Sequence, residues 1–361
     1  MYTTEFNFML PTTVYTDPTS LACQVEKIFK AAPEYMGHER MAQKLNDQTP
    51  LPMTDESCFL IHTNKGYKVY VNSCPHRSKK IVTEQTNAKD IRCSAHRFVF
   101  KTSGELAVAP RFDTCPNLKL HSIDVSSYHG MLFRTPNGVD LGDWFSDVPE
   151  KVINFLNMKD YKFCEGLSKR DTVIGGHWIL VMELTDDLLH IPHVHPTLNK
   201  LLKIEPVIWE YFNNGFIQTL EFNRSFLFMD EKEMNRKLAK PAYASALRYM
   251  KVLRNIISIK PELADDPSLH HLYLLSLFPG LQVETLPFLR IVENTRPHTT
   301  STSRQVLEYY VKEGIPEEFE QELIDASIEF FTQFDDEDDE LSKDEQEGIE
   351  FLARYGIEDR G

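Results

Sequence analysis

Three short stretches of this chain carry more metal-binding donors than a folding core needs. SCPHRS and RCSAHRF place Cys74 one residue from His76 and, sixteen residues on, Cys93 two residues from His96. DDLLHIPHVHP sets Asp186, Asp187, His190, His193 and His195 among Leu188, Leu189, Ile191 and Val194. Far downstream, DDEDDE offers Asp335, Asp336, Glu337, Asp338, Asp339 and Glu340. Two thiolates with two imidazoles suit tetrahedral zinc, although the Cys-x-His gap is tighter than the usual two-to-four-residue zinc spacing. They also suit a [2Fe–2S] cluster with two thiolates on one iron and two imidazoles on the other, since each stretch offers one donor of each kind. Two histidines and a carboxylate are the donor set of non-haem iron(II), held on one face with positions open for O2. An aliphatic surround keeps bulk water from such a centre.

The elements that must position these donors change character along the chain. Residues 20–32, SLACQVEKIFKAA, have apolar positions at helical spacing, which predicts one amphipathic helix in an otherwise uninformative entry segment. From about 57 to 135, short runs such as CFLIHT, YKVYVNS and FVFKT alternate with turn pairs at Asn64-Lys65-Gly66, Ser103-Gly104 and Asn137-Gly138, which predicts a small antiparallel β domain. Both Cys/His pairs then fall on loops at strand ends. From about 161 strands and helices mix: strand over 216–229, a long basic helix over 233–257, and an acidic helical stretch at the end. Around the second cluster, a helix would carry Asp187 one turn before His190, with Pro192 ending or kinking it and turning His195 back.

The composition allows all this. A chain of 361 residues with 42% apolar and 26% charged residues is long enough for one or two domains and ordinary for a globular protein. A net charge of −15 argues against nucleic acid, and much of it lies between Glu317 and Glu350, where a solvated acidic helix is the plainer reading. Six cysteines are too few for a disulfide scaffold. No run suggests a membrane helix and the first residues lack a secretory pattern, so a cytoplasmic location without membrane partners is expected.

CPHR, then CxxH, then FxFxxxGEL resembles the Rieske domain of the aromatic-ring-hydroxylating oxygenase alpha-subunit family, with Arg77, Phe98, Gly104 and Leu106 at matching positions. Respiratory Rieske proteins have an extra cysteine in each loop, where this chain has Lys79 and Ala95. The stretch HWILVMELTDDLLHIPHVHP is similar to the same family's catalytic signature, matching at Trp178, Glu183, Asp187, His190, His195 and Pro196. Two departures stand out. Arg97-Phe98 replaces the frequent Gly-Trp, and Leu184 replaces a common asparagine, which predicts a drier position beside the iron.

The resemblance implies an α+β chain: an N-terminal all-β Rieske [2Fe–2S] domain at 41–155, after a segment at 1–40, and a helix-grip (START-like) catalytic domain with an antiparallel sheet at 156–361. It implies Cys74, His76, Cys93 and His96 as cluster ligands, and His190 and His195 as ligands of a mononuclear Fe(II). Asp187 would be the acid that bridges to a neighbouring subunit's cluster. The Glu-Asp-x-x-Leu and Gln-x-Gly pattern picks Asp338 as third iron ligand, with Asp339 and Asp335 next. The expected activity is that of a terminal oxygenase fed by an NAD(P)H-dependent reductase or ferredoxin and assembled as a homotrimer. Monooxygenation of a small substrate, including N-demethylation of choline-, betaine- or carnitine-type amines, comes first and ring dihydroxylation second. An electron carrier or redox sensor without oxygenase activity is the reading from another class.

His177 is read as structural, and His270 or His271 as able to line a pocket. Phe226, Phe228, Phe278 and Phe288 are read as core, with a cation–π cage as the sharper option. The basic helix from Lys232 to Arg254 could cover the site or receive an acidic ferredoxin, with a solvated face as the default.

Overall fold

Strand-forming residues pair wherever a tight turn returns the chain. Cys58–Thr63 and Gly66–Val71, rich in aromatic and β-branched side chains, pair antiparallel from Cys58↔Val71 to Thr63↔Gly66. The computed structural model describes residues 10–165, 167 and 170–358. It divides into one unit of Lys30–Asp171 with Val306–Glu308, and another formed by the rest.

The first unit is β throughout its centre. Around the hairpin, Asp47–Pro50, Thr86–Asn87 and Ser122–Ile123 complete a five-stranded sheet. Ile91–Arg92, Val99–Phe100 and Leu106–Val108 form a separate three-stranded sheet, and Glu34–His38 pairs with Met131–Arg134 in a third. One core cluster gathers Phe59, Ile61, Tyr70, Ile91, Phe98 and Phe100 around Cys74 and Cys93. Gly104 occupies φ +88° where a Cβ would stand 2.9 Å from the Tyr70 ring, so the turn after the second loop admits no larger residue without movement.

The second unit is built on an antiparallel ladder running Leu202–Phe212, Gly215–Phe222, His271–Leu277, Leu281–Leu286 and Leu289–Pro297, with Thr302–Lys312 beside the last. The acidic tail is one helix, Glu317–Arg354, of 38 residues. Its buried stripe runs through Leu323, Ser327, Phe330, Phe331, Phe334, Ser342, Gln346 and Ile349, so most of the carboxylates face outward as a helical period requires. It packs against Ala244–Ile259, Trp178–Asp186 and Thr12–Thr16. Residues 10–29 thus belong with the later half of the chain. Among the described residues, no helix is long and apolar enough to cross a membrane.

Four local expectations need correction. The single helix expected over 20–32 is Pro18–Gln24 followed by a π-helical turn, Val25–Phe29. The strand expected over 216–229 stops at Phe222, because Ser225–Phe228 forms a helical turn. The long basic helix is broken by Pro241 into Glu231–Lys237 and Ala244–Ile259. Pro192 does not end a helix: Trp178–Asp186 has already stopped, Asp187 is extended, and Pro192 lies in the first turn of a new helix, Ile191–Val194.

Candidate metal centres and an acidic cavity

The two Cys/His loops have the same backbone. Cys74 N donates to Lys79 O and Cys74 O accepts from Ser78 N, while Cys93 N donates to Phe98 O and Cys93 O accepts from Arg97 N. Each loop turns on a residue in the left-handed region, Ser78 at φ 54° and Arg97 at φ 61°. Cys74 and Cys93 are 2% and 1% exposed. Burial, and after it the neighbouring Cys93 thiol, raise the Cys74 thiol above its ordinary pKa. The His76 and His96 rings stand 4.6 Å apart and perpendicular, and His76 stacks on Phe98 at 4.7 Å. His76 Nδ1 is buried without a hydrogen-bond partner, and His96 is exposed. Two buried thiols, two close imidazoles and an orphaned ring nitrogen fit a metal cluster, because a buried polar atom without a partner is rare unless something absent satisfies it.

In the second unit, local capping sets the other histidines. Gly176, at φ +93° with a Cβ position 3.1 Å from Ser342, brings the chain close against the long helix. His177 then caps Trp178–Asp186 by accepting from Ile179 N, and burial pushes its pKa down to about 4. Trp178 Nε1 donates to Gln24 and Tyr15 donates to Glu183, which ties this helix to the N-terminal segment. Where the helix ends, Asp187 is exposed and accepts from Leu189 N.

His190, His195 and Asp338 converge. His195 Nε2 lies 3.1 Å from His190 Nε2 and 2.8 Å from Asp338 Oδ1, and His190 Nε2 lies 3.5 Å from Asp338 Oδ1. Three ligands at right angles about 2.1 Å from one metal are about 3.0 Å apart, so the triangle has the size of one octahedral face. Burial opposes protonation of His195, but Asp338 and Glu337 outweigh it and raise its pKa; burial likewise opposes ionisation of Asp338, but His190 and His195 outweigh it and lower its pKa. Asp339 is engaged elsewhere, accepting from Gly175 N and pairing with Lys343, and Asp335 lines the adjoining cavity.

The unforeseen residue is Glu337, read from sequence as solvated: its Oε2 lies 2.6 Å from His195 Nδ1. Gln333 donates to Glu337 and Thr197 and accepts from Ser245, completing a support behind His195. A signal was present in the helical phase, since Glu337 follows Gln333 by one turn on the flank of the phenylalanine stripe.

Two adjoining cavities, about 110 Å³ and 70 Å³, share Thr185, Glu284, Asp335 and Asp338. The larger also touches His190 and His195, and the smaller Leu184 and Glu293. His270 and His271 line neither; His270 Nδ1 sits 3.0 Å from Arg224. Phe226 and Phe288 are core as expected, whereas Phe228 and Phe278 are exposed, a correction to the core reading. None of the four lines either of these cavities; Phe331 and Phe334 line the larger.

Comparison with known proteins bears on the same two regions. Residues 36–131 match the Rieske [2Fe-2S] domain and residues 164–356, more than half of the chain, match the ring hydroxylating alpha subunit (catalytic domain). Putrescine 2-hydroxylase of Ralstonia nicotianae is 24% identical over 98% of this chain and 89% of its own length; that of Bordetella bronchiseptica is 23% identical over 98% and 79%. Among solved structures, the quaternary ammonium Rieske monooxygenase CntA in complex with L-carnitine superposes with TM-score 0.64 at 16% identity, over 94% of this chain and 85% of that one. Naphthalene 1,2-dioxygenase from Rhodococcus sp. does so with TM-score 0.65 at 16% identity, over 94% and 82%. These structural likenesses concern the fold. With both domains matched, the chain belongs to the Rieske non-haem iron oxygenases, the ring-hydroxylating alpha-subunit family.

Proposed function

We propose that this terminal oxygenase hydroxylates a C–H bond of a small aliphatic amine, with Cys74, His76, Cys93 and His96 holding the cluster and His190, His195 and Asp338 the mononuclear iron. The observation that carries the reading is the convergence of two imidazoles and one carboxylate on a point in the wall of a small cavity. When bound, the cluster would deliver single electrons and the ferrous iron would activate O2, one oxygen atom entering the C–H bond and the other leaving as water with two electrons and two protons.

The chain's own residues do the rest. Glu337 accepts from His195 Nδ1–H, which fixes the ring so that Nε2 faces the metal position. Leu188, Ile191 and Leu198 exclude water from the larger cavity. Relatives named for putrescine, matched over 89% and 79% of their length, support an amine substrate. N-demethylation of a small amine is the second reading.

Oxygenases of this family take electrons from a reductase or ferredoxin and generally form oligomers. For this chain we assign an NAD(P)H-dependent electron supply, a homotrimer and a cytoplasmic setting. Exposed Asp187 would bridge to the neighbouring subunit's cluster.

Iron content tests the ligand assignment. The wild type should carry about three irons per chain, two of them in the cluster. His190→Ala and Asp338→Ala should each carry about two, keep the reduced-cluster paramagnetic signal and lose substrate-dependent O2 uptake. Full iron content with undiminished uptake in both variants would sink the assignment.

A further inference from the structure

The cavities beside the triad are acidic in a way the iron does not explain. Glu284 lies on the strand Leu281–Leu286, opposite Leu274 on the neighbouring strand. Its side chain is half-buried, lines both cavities, and has no hydrogen-bond or ion-pair partner among the described residues. Asp335, one turn before Asp338 on the long helix, lines both as well. Glu293, on the next strand, lines the smaller cavity and accepts from Thr295 and Gln305. No lysine or arginine is among the residues lining either cavity.

Carboxyls drawn out of bulk water are ordinarily paired with a cation or held neutral. The neutral alternative is real here: burial first, then Asp335 and Asp338, push Glu284 up to about 7. Yet a neutral carboxyl kept only for structure would be expected to donate its proton to an acceptor, and Glu284 has none. A metal at the triad would not answer it either, because Asp338 and Glu337 already stand against the histidines. What remains is an unpaired acceptor facing a space about the size of a short alkyl chain.

We propose that Glu284 and Asp335 form an ammonium-recognition site that selects short aliphatic substrates by a protonated primary amine. The proposal rests on the hydroxylase reading above and adds the residues and the chemical discrimination. A carboxylate accepts N–H hydrogen bonds, which a primary ammonium has and a quaternary ammonium lacks. A quaternary nitrogen calls for aromatic faces around it. The aromatics here are only Phe331 and Phe334, packed edge to face against each other at 5.7 Å, with no tryptophan or tyrosine in either wall. Aliphatic Leu220, Leu272 and Leu274 would take the alkyl chain, and Glu293 would take a second ammonium in the smaller cavity.

The test is titration calorimetry on the oxidised, iron-loaded holoenzyme with 1,4-diaminobutane, n-butylamine and choline, alongside product analysis with a reductase. Both primary amines should bind, the diamine more tightly, and choline at least tenfold more weakly than either. Glu284→Gln and Asp335→Asn should each raise the amine Kd tenfold or more while iron content, cluster absorbance and Tm stay near wild type. The site is refuted if no amine binds, if choline binds as tightly as butylamine, or if both correctly loaded variants bind amines like the wild type. Should amines bind through Glu284 without any hydroxylated product, this site stands and the hydroxylase reading falls.

Discussion

His195 shows how much of the chemistry lies in single side chains. It is 2% exposed and engaged at both nitrogens, by Asp338 and His190 on one side and by Glu337 on the other. His190 lacks such support, its Nδ1 being buried without a partner. Losing the outer partner of a metal-ligating histidine typically costs 10–100-fold in metal affinity. Glu337→Ala should therefore weaken the mononuclear iron by about that factor in chelator competition, and leave the cluster's paramagnetic signal intact. Iron retention equal to wild type would show that Glu337 is an ordinary surface acid. The proposed donors stand out in the sequence because their chemistry demands cysteine, histidine and aspartate at restricted spacing. Glu337 does not, because its role is a contact across the fold from a run of six acids that look alike in sequence. The Arg97-Phe98 departure resolves into two physical facts: Arg97 takes a left-handed conformation that favours glycine, and Phe98 supplies the ring on which His76 stacks.

At the scale of elements, helix phase does the choosing that composition could not. Asp338 stands four residues after Phe334 and four before Ser342, both buried, so it points to the same side as the core stripe. Periodicity also makes the β domain and the acidic helix readable. Breaks were harder: Pro192 and Pro241 were each misjudged, because proline in a first helical turn and proline after a helix end leave similar traces in sequence. The end of Trp178–Asp186 carries a testable strain. Burial chiefly, with help from Glu183 and against the Ser276 hydroxyl, raises Asp186 to about 7 from 3.8. Below pH 4 both folded and unfolded chains hold the proton and nothing is lost. Between pH 4 and 7 the unfolded chain releases it first, so stability falls as pH rises, and above 7 the full penalty remains. Asp186→Asn keeps the acceptor for Ser276 and removes the charge. It should raise Tm clearly at pH 8 and little at pH 4; an equal shift at both would exclude the linkage.

For the molecule as a whole, the division of labour between units sets the requirement for assembly. The donors proposed for the cluster lie in the unit of Lys30–Asp171 and those proposed for the iron in the other, so under that assignment an electron must pass from one kind of site to the other in every turnover. The assignment of Asp187 to a bridge between subunits makes a prediction that a route within one chain does not. A Cys93→Ser chain would lack the cluster but keep His190, His195 and Asp338; an Asp338→Ala chain would lack the iron but keep the cluster. Each homo-oligomer should be inactive. Co-expressed under separate affinity tags and purified through both, the mixed oligomers should recover a measurable share of substrate-dependent O2 uptake, since some intact clusters then adjoin intact iron sites on a neighbouring chain. Placing Asp187→Ala in both partners should abolish the recovery while cluster reduction by dithionite stays normal. If doubly tagged oligomers with full complements of the retained metals stay inactive, electrons travel within single chains, and Asp187 loses its bridging role.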